Sequence, residues 1–490
     1  MTDQTTSTSS AQTDEPWDLV VVGGGTAGIV GAKTAARFGA RVLLVERDRT
    51  GGDCLWTGCV PSKALLAAAA AAAAARTGGR FGVSAGPADV TVDFSQVMKH
   101  VHAAIQHIAP VDSIETLEAS SVAVRTGTAV FTGVDSVEIE GERHTFRQAL
   151  LATGAAPAVP PIPGLADVDY LTSDTVWDLD DLPAGLVILG GGTIGCELGQ
   201  AFARLGSTVS VVEGAPRLLP REDPLASAAV AEALVADGVE IHTGSGVSSV
   251  ETSGPGEGVL HLENGRQVPF ARLLVAVGRA PRTADLGLSA AGVDIGARGF
   301  VVVDDHLRTT NPHIWAAGDL TGHPQLTHAA SSHASLAVSN AILGLRRAVD
   351  LTALPRVTFT SPEVAAVGLA SDRPGPGLRV IDWQDTHVDR AVAEGETSGF
   401  TRLVVDKRGH ILGATIVGPR AGETLGEVTL AVAQGLTTRD LAGVTHAYPT
   451  YNDGPWNAVI SDVQALLRRP AVQRAVGVLA RGRRWWVGRK

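Results

Sequence analysis

Two cysteines in one short segment are the residues best suited to carry chemistry. Cys54 and Cys59 lie in the stretch GGDCLWTGCVPSK, from Gly51 to Lys63, which holds two of the three cysteines among 490 residues. A pair with this spacing can close a small disulfide ring. A thiol at the start of the alanine-rich helix that follows has a lowered pKa, because the helix dipole favours the thiolate. The alternatives are two buried cysteines that never meet and a structural disulfide, which so few cysteines in so long a chain disfavour.

A glycine-rich turn near the N-terminus predicts a dinucleotide site. The apolar run 18–22 is followed by GGGTAG, a helical pattern and a second strand that ends at Glu46. In such a unit Gly23 makes the turn, Gly25 lets the backbone approach a pyrophosphate, and Gly28 lets the helix pack on the strand. Glu46 lies where a carboxylate can accept hydrogen bonds from ribose hydroxyls.

The same pattern occurs a second time. GGGTIG, with Gly190, Gly192 and Gly195, leads through a helix and a strand to Glu213, and the first glycine precedes the acid by 23 residues in both copies. A single glycine motif is weak evidence, but two copies in complete strand–helix–strand units predict two bound dinucleotides rather than glycine loops without ligands. We expect a bound flavin, FAD, and a diffusing nicotinamide.

The acid of the second unit bears on which nicotinamide binds. Glu213 should hydrogen-bond a ribose 2′-hydroxyl and repel a 2′-phosphate, which favours NADH over NADPH. Arg217 and Arg221 follow closely in the chain and can weaken that preference, so NADPH stays possible.

Length and composition limit the remaining possibilities. A chain of 490 residues is expected to form about three domains. The net charge of −11 argues against a general nucleic-acid binder. No uninterrupted apolar run reaches the ~20 residues of a membrane span, and no signal segment is visible, so a cytoplasmic location is expected. The polar residues 1–16 read as a disordered tail.

Further motifs give the chain a family resemblance over about 17–465. The cysteine segment is close to the redox-active disulfide motif of the class I pyridine nucleotide–disulfide oxidoreductases, which include dihydrolipoamide dehydrogenase, glutathione reductase and mercuric reductase. ATG at 152–154, VGR at 277–279 and NPHIWAAGD at 311–319 are similar to later motifs of that family. The resemblance assigns further cofactor-binding positions to Gly52, Thr153, Gly154, Gly278, Arg279 and Asp319.

The family implies an α/β fold with two doubly wound Rossmann-like dinucleotide-binding domains and a C-terminal α+β dimerisation domain. The implied domains are an FAD-binding domain over 17–154 and 279–347, an NAD(P)-binding domain over 155–278, a dimerisation domain over 352–466 and a basic C-terminal tail over 467–490. A homodimer is expected, since the partner's C-terminal segment completes the family's active site.

The resemblance also assigns catalytic roles. Cys59 is the sulfur next to the flavin and becomes the charge-transfer thiolate, while Cys54 is the outer thiol that meets a small-molecule substrate. Lys63 is expected to pair with Glu197 beside the flavin. Cys196 is expected to be a core residue, and no metal site is predicted.

The C-terminal motif departs from the disulfide-reducing members. Those carry His-Pro-Thr and a following Glu, whereas Tyr448 and Asp453 occupy these positions here, with His446 two residues earlier. A phenol is a poor proton shuttle at neutral pH. Mercuric reductases also carry Tyr there, but they add a C-terminal cysteine pair, and this chain has no cysteine after Cys196.

These observations favour a mercuric reductase-like enzyme that delivers electrons to a small disulfide, a thiol-bound metal ion or a similar acceptor. The alternatives are a dihydrolipoyl dehydrogenase and, more remotely, a non-catalytic nucleotide-sensing flavoprotein.

The end of the chain carries eight Lys or Arg and no acid from Arg468 to Lys490, with Trp485 and Trp486 among them. Such a helix can lie on an anionic membrane. A tail packed on the acidic body or solvated is favoured over peripheral membrane contact.

Overall fold

The protein forms two compact units. The structure, a computed structural model, describes residues 15–83, 90–372 and 374–489. Within these, the first unit comprises 15–60, Ala103–Ala156 and Arg279–Val349, and the second comprises Pro61–His102, Pro157–Gly278 and Asp350–Lys490. The predicted disordered tail lies outside the described residues up to residue 14.

The strands are short, as is usual for α/β proteins. In chain order they are β1 Trp17–Val22, β2 Val42–Glu46, β3 Val122–Thr126, β4 Ala129–Gly133, β5 Ser136–Ile139, β6 Glu142–Leu151, β7 Ala155–Pro157, β8 Leu171–Thr172, β9 Gly185–Leu189, β10 Thr208–Glu213, β11 Glu240–Thr243, β12 Val247–Gly254, β13 Glu257–Leu262, β14 Gln267–Phe270, β15 Arg272–Val275, β16 Arg279–Pro281, β17 Ile314–Ala316, β18 Arg356–Thr358, β19 Glu363–Gly368, β20 Arg379–Gln384, β21 Phe400–Val405 and β22 Ile411–Gly418.

The helices alternate with these strands through most of the chain. In chain order they are α1 Thr26–Arg37, α2 Gly52–Trp56, α3 Cys59–Thr77, α4 Phe94–Ile108, α5 Ile114–Ala119, α6 Thr193–Leu205, α7 Pro224–Ala236, α8 Thr327–Leu343, α9 Asp389–Glu394, α10 Ala421–Gln434, α11 Thr438–Ala442, α12 Asp453–Leu467 and α13 Pro470–Val487.

The first unit is built on a largely parallel sheet. Its strand order is β3-β2-β1-β6-β5-β4, with β17 beside β6, and β1 runs parallel to both β2 and β6. Leu19 and Val21 of β1 are fully buried in a core that α1 and α8 share with one face of the sheet, and Val20 is buried on the other face with residues of β4 and β5. Helix α1 packs closely on this sheet, since a Cβ on Gly31 would lie 2.5 Å from Leu150. Both faces of the sheet are therefore covered.

The second unit contains another parallel sheet and an antiparallel one. The parallel sheet has the order β11-β10-β9-β15-β8, and α6 connects β9 to β10. The antiparallel sheet has the order β18-β19-β22-β21-β20, and α10 and α12 share an apolar core with it. The α/β class with a C-terminal α+β portion, expected from the family resemblance, is confirmed.

One helical stretch meets the length and composition of a membrane span. Among the described residues this is Gly52–Phe81, which includes the cysteine segment. It is interrupted between α2 and α3, and its charged residues Asp53 and Lys63 each form an ion pair within their own unit.

Candidate active site

Two consecutive helices present the cysteines. Helix α2 carries Cys54, and α3 begins at Cys59 after a turn of two residues. The turn is tight, because a Cβ on Gly58 would lie 2.8 Å from the carbonyl oxygen of Asp53. The tight turn thus brings the side chains of Cys54 and Cys59 within hydrogen-bonding distance of each other.

Backbone contacts hold the cysteine segment against the first glycine turn. The amide of Gly51 donates a hydrogen bond of 2.9 Å to the carbonyl of Gly24. Gly52 has a φ of +62°, and a Cβ there would lie 2.6 Å from the Cα of Gly25. Only glycine allows this approach, so the segment that bears the thiols is in direct contact with the predicted pyrophosphate-binding loop.

The two cysteines are free thiols in this structure, Cys54 half-buried and Cys59 exposed. The pKa of Cys54 is raised, first by a hydrogen bond with the Cys59 side chain, then by burial and by negative charge on Cys59. The lowered pKa that the sequence predicts concerns a thiol at the start of α3, which is Cys59, and it stays a prediction.

A threonine that the sequence analysis did not single out contacts this pair. The Oγ1 of Thr327 lies 3.3 Å from the Sγ of Cys59, and it opposes the rise in the Cys54 pKa. Thr327 is the first residue of α8, 268 positions away in the chain. The assignment of Cys59 as the inner sulfur and Cys54 as the outer one stays a prediction from the family resemblance.

A charged cluster stands directly beside Cys54 in the chain. The carboxylate of Asp53 pairs with the guanidinium of Arg279 and lies 3.2 Å from Arg282, while the Nε of Arg279 lies 3.5 Å from Asp319. Burial raises the pKa of Asp319, and the charge of Arg279 opposes the rise. Arg279, predicted to bind cofactor, is thus engaged with two carboxylates. Asp53 was not singled out from the sequence. The feature that could have indicated its ion pairs is an acid directly before a predicted redox-active cysteine.

The ATG turn, residues 152–154, contacts the same charged cluster through Arg282. The hydroxyl of Thr153 donates a hydrogen bond of 2.7 Å to the carbonyl of Arg282, and the carbonyl of Gly154 accepts one of 3.0 Å from the amide of Arg282. Gly154 has a φ of +68°, which glycine adopts readily. Arg282 therefore links the predicted cofactor residues Thr153 and Gly154 to Asp53.

The first glycine turn has the geometry that a pyrophosphate needs. A Cβ on Gly28 would lie 1.8 Å from the carbonyl oxygen of Gly23, so the helix can start only with glycine there. Gly25 is the N-cap of α1, and among the residues that the structure describes no side chain caps it. The first-turn amides are thus available to an anion, and the residues fit FAD.

The second glycine turn repeats this geometry. A Cβ on Gly195 would lie 1.9 Å from the carbonyl oxygen of Gly190, and Gly192 is the N-cap of α6 with open space at its Cα. Gly278 follows the next strand of this sheet, and its carbonyl accepts a hydrogen bond of 2.9 Å from Ala158. The residues fit a second dinucleotide, here a nicotinamide.

The two acids occupy equivalent positions. The Oε2 of Glu46 accepts a hydrogen bond of 2.6 Å from the amide of Gly24, and the Oε2 of Glu213 accepts one of 2.7 Å from Gly191. Each carboxylate therefore lies at the edge of its glycine loop. Arg217 donates to the carbonyls of Pro220 and Glu222, at 3.0 and 3.1 Å. Its guanidinium is thus bound within its own loop.

Lys63 and Glu197 form an ion pair in the second unit. The Nζ of Lys63 lies 2.8 Å from the Oε2 of Glu197, whose side chain is only 5% exposed. The other carboxylate oxygen accepts a hydrogen bond of 2.8 Å from the amide of Phe359, and Lys63 stands 4.3 Å from the centre of the Phe359 ring. Phe359 was not anticipated from the sequence. Cys196 beside Glu197 is fully buried, and burial raises its pKa to about 12.

The C-terminal motif presents a tyrosine to solvent. Tyr448 is 69% exposed, and its hydroxyl donates a hydrogen bond of 2.5 Å to Asp389. Asp453 is buried and accepts from the amide of Thr450, so the partner of Tyr448 is Asp389 and not Asp453. His446 is nearly buried and lies 2.8 Å from Glu427. The structure thus leaves Tyr448 as the accessible group of this motif.

The comparisons agree with this combination of two dinucleotide folds and a cysteine pair. The pyridine nucleotide-disulphide oxidoreductase family matches residues 17–334, and the dimerisation domain of that family matches residues 354–459. The mercuric reductase of Streptomyces lividans is 38% identical over 448 residues, covering 89% of this chain and 94% of that protein. The dihydrolipoyl dehydrogenase of Geobacillus stearothermophilus is 35% identical over 447 residues, with the same coverage of 89% and 94%.

A solved structure extends the similarity to three dimensions. The Cu(II) complex of the HOCl-induced flavoprotein disulfide reductase RclA from Escherichia coli has a TM-score of 0.81 at 27% identity, covering 91% of this chain and 99% of that one. The fold and site define a flavoenzyme with two nucleotide sites. The chain belongs to the pyridine nucleotide–disulfide oxidoreductases, and it is an FAD-dependent enzyme of mercuric reductase-like type that uses NAD(P)H.

Proposed function

We propose that this enzyme passes an electron pair from NADH through its flavin to the Cys54–Cys59 disulfide, and from the reduced pair to a thiol-bound metal ion. The FAD-binding residues are assigned to 17–154 and 279–347, and the NAD-binding residues to 155–278. When bound, FAD turns the hydride of a nicotinamide into an electron pair that a disulfide accepts. The cysteine segment receives that pair by cleavage of its S–S bond.

The observation that carries the choice of acceptor is the contact between Tyr448 and Asp389. The hydrogen bond to the Asp389 carboxylate raises the pKa of Tyr448, so the phenol keeps its proton at neutral pH. Reduction of a disulfide substrate requires protons for its leaving thiolates. Hg(II) held by the two thiolates takes up the electron pair without a proton and leaves as Hg(0), whereas two Cu(II) ions would each take up one electron; in both cases the Cys54–Cys59 disulfide re-forms.

The remaining site residues have supporting roles. Lys63 and Glu197 are assigned to tuning of the flavin, and Asp319 to its ribityl chain, both by family resemblance. Asp453 supports the turn that presents Tyr448, through its contact with Thr450. The chain carries the family's dimerisation domain. We infer a homodimer in which Tyr448 serves the partner's cysteine pair. A cytoplasmic location is inferred because the thiol pair must cycle.

A dihydrolipoyl dehydrogenase activity is the second candidate. A relative of that name is 35% identical to this chain, which supports it. The tyrosine at position 448 opposes it, because oxidation of a dithiol requires a base for its protons. Dihydrolipoamide turnover with NAD⁺, at a rate comparable with metal reduction, would establish the second candidate.

The acceptor is tested by stopped-flow reoxidation of the NADH-reduced enzyme under anaerobic conditions. The acceptors compared are Hg(II) and Cu(II) as thiol complexes, lipoamide, glutathione disulfide and a soluble quinone. We expect the metal complexes to reoxidise the enzyme fastest, and Cys54→Ser to abolish that reaction. Faster reoxidation by a disulfide would overturn the proposed acceptor.

A further inference from the structure

The C-terminal helix α13 has an exposed apolar face. Successive residues of a helix are rotated by about 100°, so residues three, four and seven apart share a face. On one such face α13 carries Val472, Val476, Leu479, Trp486 and Val487. None of its residues is buried, and Leu479 is 73% exposed. Leu479 is therefore not covered by other described residues of the chain.

The same helix is strongly basic. Its opposite face carries Arg474, Arg481 and Arg484, and the described residues from Arg468 to Arg489 include no acid, although the whole chain has a net charge of −11. Arg483 falls within the apolar face, and its guanidinium lies 4.5 Å above the ring of Trp486. Apolar contact and positive charge are thus combined along about 27 Å of helix.

A basic pocket opens where α12 meets α13. Its volume is about 140 Å³, and its lining includes the cationic side chains Arg379, Lys407, Arg408, Arg439 and Arg469. Asp462 is the acid of this lining, and it is already bound to Arg379 and, at 2.7 Å, to the hydroxyl of Thr438. Among the described residues no salt bridge joins the other four cations to a carboxylate. The pocket therefore carries excess positive charge.

We propose that α13 and the basic pocket together dock this protein on an anionic membrane surface. A membrane supplies both things that this surface lacks, namely an apolar phase for Leu479 and Trp486 and phosphoryl groups for the pocket. Tryptophan near a helix end suits the interface between head groups and acyl chains. A nucleic acid would supply the anions but no apolar phase. This inference is independent of the electron acceptor.

Co-sedimentation of the full-length holoenzyme with vesicles tests the proposal. We expect binding to vesicles of phosphatidylglycerol and phosphatidylcholine, at least tenfold weaker binding to phosphatidylcholine alone, and loss on raising the salt concentration. Leu479→Ser with Trp486→Ser should lower binding at least tenfold. Lys407→Gln with Arg439→Gln should lower it severalfold. The matched controls are Val235→Ser, an exposed apolar position on α7, and Lys99→Gln on α4.

Three results would overturn the proposal. They are sedimentation unchanged by the α13 substitutions, binding to a DNA duplex without binding to vesicles, and a higher oligomer that the same substitutions dissociate. The last would assign the apolar face to a second copy of the chain. NADH oxidation with a soluble acceptor should be equal in all variants, so a failure of the acceptor assignment is separable from a failure here.

Discussion

The hydroxyl of Tyr448 donates a hydrogen bond of 2.5 Å to the carboxylate of Asp389, the first residue of α9. Asp389 raises the pKa of the phenol, first through this bond and then through its charge. A neighbouring pair has the same design, since Tyr451 donates to Glu394 at 2.7 Å. Burial and then Glu394 raise the pKa of Tyr451, whereas Asp389 is the main cause for Tyr448, which is the largely exposed member of the two.

Asp389→Asn should shift the alkaline limb of reoxidation by a disulfide to lower pH, because that reaction draws on a proton and reduction of a thiol-bound metal ion does not. The carboxylate raises the pKa of Tyr448 in the folded protein, so its removal lets that pKa fall towards its ordinary value. The measurement is the pH profile of reoxidation by lipoamide in a stopped-flow instrument, and the profile with the metal complex should not change. Glu394→Gln, in the neighbouring pair, is the control and should leave the profile unchanged. An Asp389→Asn profile identical to wild type would remove Tyr448 from the acceptor site.

Lys63→Met should destabilise the protein by about 1–3 kcal/mol. The nearly buried Glu197 would lose its counter-charge, although the 39% exposure of Lys63 reduces the cost below that of a fully buried pair. Glu197→Gln should cost less, because an amide oxygen can still accept from Phe359. Urea denaturation of the holoenzyme measures both. Equal stability of Lys63→Met and wild type would show that the pair contributes nothing.

Asp53→Asn should slow reduction of the cysteine pair by about tenfold, which corresponds to about 1.4 kcal/mol. The substitution leaves the half-buried Arg279 and Arg282 without their shared carboxylate, next to Cys54. The rate of NADH-driven thiol formation measures the effect. Asp48→Asn, on the exposed turn after β2, is the matched control. If both variants react alike, the cluster does not position the thiols.

The enzyme should prefer NADH to NADPH by at least tenfold in kcat/KM. Glu213 lies at the edge of the second glycine loop, where a carboxylate repels a 2′-phosphate, and Arg217 is bound to loop carbonyls. Glu213→Gln should reduce the preference for NADH, because it removes the charge that repels the 2′-phosphate of NADPH. Steady-state kinetics with both nucleotides decide the matter, and a tenfold preference for NADPH would contradict the assignment.

Local features of this protein could be predicted from the sequence. Each glycine turn, its helix and its acid lie within one continuous strand–helix–strand unit, so spacing alone indicated the geometry at Gly23 and Gly190. The cysteine segment was equally local. Its family resemblance supplied the fold class, and the family models confirm that assignment.

Contacts between distant parts of the chain could not be predicted in the same way. Asp53 and Arg279 are 226 residues apart, and Cys59 and Thr327 are 268 apart. Such pairs depend on how strands and helices pack, which no local pattern encodes. The raised pKa of Cys54 could not be predicted from its place in the sequence either, because it depends on the neighbouring sulfur of Cys59 and on burial.

The central claim is that Cys54 and Cys59 form a disulfide that accepts electrons from the flavin. Anaerobic titration with dithionite, followed by flavin absorbance and by free thiols, tests it most directly. The wild-type holoenzyme should take up one electron pair for the disulfide and another for the flavin, with two thiols appearing per subunit. Cys59→Ser should take up only the flavin's pair. A wild-type enzyme that takes up one pair and gains no thiols would contradict the account.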